Sequence, residues 1–100
     1  AYLAVLPYDP HNLIIKNNLA WHLCISNRDL EMAEHLSRAT IMADPTNPVY
    51  LDTYAWVMYK LGNYHDALFY ILQAMENANP ETRKEIITHK KAIIKKLNRQ

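Results

Sequence analysis

Few residues in this chain could do covalent or metal chemistry, and their spacing argues against both. The single Cys24 has no second thiol for an internal disulfide or a sulfur-rich metal site. The five histidines, His11, His22, His35, His65 and His89, include no pair four apart. A helical zinc site needs that spacing so that two rings share one face; His22-x-Cys24 supplies two ligands at most. With one glycine in the whole chain there is no phosphate-cradling loop, and neither a nucleophile elbow nor a His-Glu-x-x-His motif occurs. The expectation is a protein without catalytic residues, metal or cofactor, in which Cys24 is a buried thiol.

The residues that could do non-covalent chemistry are more informative. Trp21 and Trp56 each follow an alanine and stand 35 residues apart. Tryptophan concentrates at binding hot spots because it buries a large area at little entropic cost. On a helical wheel Trp56 falls outside the arc of Leu51, Tyr54, Ala55 and Met58, beside Val49, Asp52 and Lys60. Trp21 sits in the same way beside Ile14, Asn17 and Ile25. Each of these helices therefore carries a second, partly apolar stripe. Two readings of the rings stand: an open binding wall, or packing between neighbouring helices.

The elements that position these stripes repeat. Pro10, Pro45 and Pro80 are 35 residues apart, and Asp9-Pro10-His11-Asn12 recurs as Asp44-Pro45-Thr46-Asn47. Ala33 and Ala67 recur at 34, a small indel of the kind turns in repeat proteins tolerate. Each unit reads as two helices. In the second, Asn47 caps and Pro48 opens a helix that ends at Leu61-Gly62-Asn63; Asn63 with Asp66 resembles a capping box opening the next, through Ala67, Leu68, Ile71, Leu72 and Met75. In the first, Asn12 is the expected cap before Lys16, Leu19, Ala20 and Leu23, and Asp29 caps a helix bearing Leu30, Ala33, Leu36, Thr40 and Ile41. Short turns between helices of about 15 residues make neighbours antiparallel.

Half the residues are apolar or aromatic, enough for one domain's core, and the scarcity of glycine favours an all-α fold. No apolar run approaches the roughly 20 residues needed to cross a bilayer. No signal-peptide pattern is present, so the chain reads as a soluble segment with no compartment assigned. It begins in what reads as the tail of a helix, as an excised piece of a longer protein would.

The pattern resembles the tetratricopeptide repeat. The carrying residues are Leu61-Gly62-x-Tyr64-x-x-Ala67 at the turn, Ala74 seven beyond, and Asp-Pro-x-Asn closing the unit. Residues 1–10 then match the end of a preceding repeat, 11–45 and 46–80 two full repeats, and 81–100 a capping helix. Lys16, Ala20, Ala55 and Arg28 depart from the family pattern, the last standing near where the first repeat's turn glycine belongs. The resemblance implies a right-handed α-α superhelix, a solenoid of antiparallel helix pairs acting as a protein–protein interaction scaffold. It also implies a concave groove for a partner's peptide or helix, lined by Ile14, Asn17, Trp21, Ile25, Val49, Asp52, Trp56 and Lys60. Some family members clamp a C-terminal carboxylate in such a groove; Asp52 would repel one.

Other readings carry less. A 35-residue period also suits pentatricopeptide repeats, which read single-stranded RNA, but residues 1–80 hold eight acidic and four basic side chains and would repel phosphate. Residues 81–100 reverse the balance, with seven basic and two acidic. Ile86, Ile87, Ile93, Ile94 and Leu97 form one arc there with Lys84, Lys91, Lys95 and Arg99 opposite, while Lys90 and Arg83 can snorkel from the apolar side. That favours a capping helix over a nucleic-acid or lipid surface, since no aromatic residue is interleaved for base stacking. The competing structural role is a spacer in a longer array that associates with itself.

Overall fold

The computed structural model describes residues 10–99. Five helices follow one another: α1 (Pro10–Ile25), α2 (Leu30–Ala43), α3 (Pro48–Lys60), α4 (Tyr64–Asn77) and α5 (Pro80–Asn98). Among the described residues there is no strand, so the expected all-α class holds. The segment read as the end of a preceding repeat lies, apart from Pro10, outside the described residues.

The helix boundaries follow from local chemistry. Asn47 accepts from the backbone N–H of Val49 at 2.9 Å and of Tyr50 at 3.3 Å, and Pro48 opens α3 with its φ already set. Asn79 and Pro80 repeat the device at α5, where the Thr82 N–H donates to Asn79 at 2.8 Å. Asp29 caps α2 by accepting from the Met32 N–H at 3.2 Å, from a left-handed backbone. Two expected caps are absent. Helix α1 starts at Pro10, which leaves Asn12 inside the helix rather than before it. Asn63 makes no capping bond to α4; its amide turns back to the Met58 sulfur, and its N–H closes α3 on the Met58 carbonyl at 2.8 Å.

The closures of α1 and α3 explain why Arg28 stands where glycine was expected. Gly62, at φ +88°, reverses the chain after α3, a conformation in which a Cβ is strained. One period earlier, Asn27 takes φ +55°, and the Arg28 N–H bonds the Leu23 carbonyl at 2.9 Å as Asn63 bonds Met58. Asparagine is the non-glycine residue that best tolerates this region. The turn is kept and the residue that makes it is Asn27.

Helix α3 is central and packs on all four others. Helix α1 also meets α3 and α3 meets α5, while α2 lies against α1 and α3, and α4 against α3 and α5. Contacts thus run from α1 to α3 to α5, with α2 and α4 each lying against α3. Close approach depends on small residues: Ala20, Ala33, Ala55, Ala67 and Ala74 are all sealed from solvent. Leu51, Val57, Ile71, Ile86 and Ile93 fill the core, each burial worth about 1.5–3 kcal/mol relative to exposure. Leu19 and Leu72, which share the helical spacing of the core residues, are about half exposed, and Phe69 is exposed as well.

Helix α5 turns Ile86 and Ile93 inward and leaves Lys84, Lys91, Lys95, Lys96 and Arg99 in water. Arg83 reaches back to donate to the Met75 and Ala78 carbonyls at 3.1 and 3.3 Å, closing the end of α4, where the Met75 carbonyl also accepts from the Ala78 N–H.

Candidate binding groove

Helical periodicity places Asn17 and Trp21 on one face of α1 and Val49, Asp52 and Trp56 on one face of α3. Tertiary packing adds a third wall, since Thr82, Glu85 and His89 share a face of α5. Between them lies a cleft of about 190 Å³. Asn17, Trp21, Val49 and Asp52 line it with Thr82 and Glu85, and Asn18 and Thr53 complete the lining. Four of the eight expected groove residues are thus brought together.

Its most constrained feature is a contact the sequence reading missed. His89 Nδ1 lies 2.7 Å from Asp52 Oδ1, with both side chains largely shielded. An ionised carboxylate only accepts, so the ring nitrogen donates, and the bond pins α5 to α3. The His89 ring also sits 5.6 Å from the Trp21 ring and 4.6 Å from the Trp56 ring. Trp56 stacks on Tyr59 at 4.4 Å, and Tyr59 meets Tyr64 at 5.7 Å. The result is a row of five rings across α1, α5, α3 and the start of α4, each contact adding about 0.5–1.5 kcal/mol beyond area burial.

The other expected residues fall elsewhere. Trp56 belongs to that row and packs against the core, so for this ring the interhelical reading describes its surroundings. Ile14 and Ile25 lie along α1 about half exposed, outside the cleft lining. Lys60, at the end of α3, acts electrostatically on Cys24 instead. What could have pointed to the third wall is the Asn79-Pro80 opening, which copies Asn47-Pro48 and marks α5 as another helix of the α3 kind.

Polar balance distinguishes the cleft from its surroundings. Asn17 is only 6% exposed, and its Oδ1 is sealed with no hydrogen-bond partner. Asp52 and Glu85 place two carboxyl groups on the lining, and no lysine or arginine is there. A larger hollow of about 370 Å³ near Glu31, Tyr54 and Asn63 is differently balanced. There the Tyr54 hydroxyl donates to Glu34 at 2.9 Å, and Arg38 donates to the same carboxylate through Nε at 2.8 Å. Those bonds, the Arg38 one foremost, hold the Glu34 carboxyl below its usual range. Burial, reinforced by Glu34, pushes the Tyr54 hydroxyl up to about 12.

Cys24 is fully buried, and burial pushes its thiol up to about 11 against a smaller opposing effect of Lys60. It is therefore a protonated core thiol at neutral pH. Among the described residues no three His, Cys, Asp or Glu side chains converge as metal ligands, and no helix is long and apolar enough to cross a membrane. In comparisons with known proteins, no family model matches the chain, nor does any curated protein or solved structure.

Proposed function

We propose that this chain is a tetratricopeptide-like helical repeat that binds a segment of a partner protein across α1, α3 and α5. The observation that carries the reading is the shared cleft. Asn17 and Trp21 from one repeat and Val49 and Asp52 from the next meet there, although 35 residues separate Asn17 from Asp52. The row of odd-numbered helices supports a superhelical stack, in which first helices line the inner side. Catalysis has no part in this reading, because the groups facing the cleft include no activated nucleophile. A peptide would be held by burial of its side chains beside Trp21, with Asn17, Asp52 and Thr53 available to its backbone.

Selection of random twelve-residue peptides displayed on phage against the immobilised chain tests this. Enriched peptides, titrated into isotope-labelled protein, should shift the amide signals of Asn17, Trp21, Val49, Asp52 and His89. Shifts confined to the outer faces of α2 and α4, or no enrichment at all, would reject it.

A further inference from the structure

We propose that the cleft between α1, α3 and α5 is a receptor for a basic side chain, arginine before lysine, presented by the partner segment. This rests on the peptide-binding reading and specifies its chemistry.

The argument begins with charge. Asp52 and Glu85 line the cleft from two different helices, with no cation on the lining to balance them. His89 bonds one Asp52 oxygen, and no bond from the described residues to the other is seen. Two carboxylates on the lining of one small hollow favour an incoming cation, the arrangement that gives a groove its preference among partners.

Two further features favour a guanidinium. Trp21 forms part of the wall, and a planar cation stacks on an indole better than on any other side chain. Asn17 lines the cleft and is more than nine-tenths buried, and its side-chain oxygen, sealed from solvent, lacks a donor. Leaving such an acceptor dry and unpaired is unfavourable, and rotation of the amide towards an N–H donor in the cleft relieves it. Arginine offers five N–H donors in a fixed fork, enough to address Asp52, Glu85 and Asn17 at once; lysine offers three on a point charge. Size agrees, since about 190 Å³ falls below the roughly 300–1,000 Å³ of pockets that take whole small molecules. A single side chain on an extended peptide suits it.

The same features exclude an acidic or carboxylate-terminated ligand, which would face Asp52 and Glu85 without compensation.

The experiment takes the phage-selected peptides and replaces each arginine in turn by citrulline, which keeps the shape and removes the charge, and each lysine by acetyl-lysine, which also removes the charge. One citrulline position should weaken binding about tenfold, as expected for loss of a charge-assisted contact stacked on tryptophan. Glu85→Gln, at an exposed position that leaves the helix intact, should weaken the arginine peptide about fivefold and the citrulline peptide hardly at all. Trp21→Leu should likewise narrow the arginine-to-citrulline ratio, with circular dichroism confirming the fold. Peptides that bind the groove without any basic requirement overturn this inference and leave the peptide-binding reading standing. An arginine preference unchanged in both variants overturns the placement in this cleft. Failure to select any peptide overturns both.

Discussion

Removal of the Asp52–His89 bond tests the groove most directly, because it joins α3 to α5 across 37 residues of sequence. Asp52→Ala deletes the acceptor and leaves a shielded ring N–H unpaired, which costs about 1–3 kcal/mol. His89→Ala loses the same bond and also two aromatic contacts; at about 0.5–1.5 kcal/mol each, these bring the total to roughly 2–6 kcal/mol. If the bond is what joins the two residues, the double variant should be less destabilised than the sum by about 1–2 kcal/mol. Asp52→Asn retains an acceptor without charge and should retain about half the coupling, since neutral hydrogen bonds are about half as strong. The assay is urea unfolding followed by circular dichroism and tryptophan fluorescence. An unchanged slope would show that only stability moved. A coupling below about 0.5 kcal/mol would mean that the bond contributes nothing beyond packing, and the rigid third wall would go with it.

The two left-handed turns predict opposite effects. Gly62→Ala should cost about 1 kcal/mol through backbone strain, whereas Asn27→Gly should be neutral or stabilise by a few tenths; equal unfolding midpoints for both would contradict the turn assignment. Tyr54 predicts an alkaline dependence. Its hydroxyl is raised in the folded state to about 12, so its contribution is full below the unfolded value of about 10 and is lost as pH rises towards 12. Tyr54→Phe should lessen the fall in stability between pH 10 and 12 without abolishing it, because Cys24 and Tyr50 are raised as well; urea unfolding follows the midpoint. Cys24, buried and raised to about 11, should resist Ellman's reagent at pH 8 and react at once in denaturant; fast reaction of the native chain would show that the thiol is not sealed.

Much of the framework was legible because it is written locally. Asn47-Pro48 and Asn79-Pro80 stop and start helices through bonds spanning three residues or fewer, so their meaning survives whatever packs around them. Ala67 and Ile71 sit at helical spacing and are buried for the same reason. Legibility failed where one side chain had two local options. Asn12 and Asn63 both look like caps, yet a helix opened earlier by Pro10 and a turn shared with α3 took them away. Asn27 carries no such mark, because asparagine takes the left-handed turn in glycine's place only through the local backbone.

The sequence by itself determined the helices, their order and the faces that could meet, since a 3.6-residue period and a proline's fixed φ are properties of short segments. Tertiary structure alone decided that Trp21 borders a cleft while Trp56 is stacked into a row of rings. It also made α5 a wall bearing His89 and Glu85 as well as a seal over α4. A wheel shows which side chains share a stripe; the crossing of neighbouring helices determines which part of that stripe is covered, and by residues how distant in the chain.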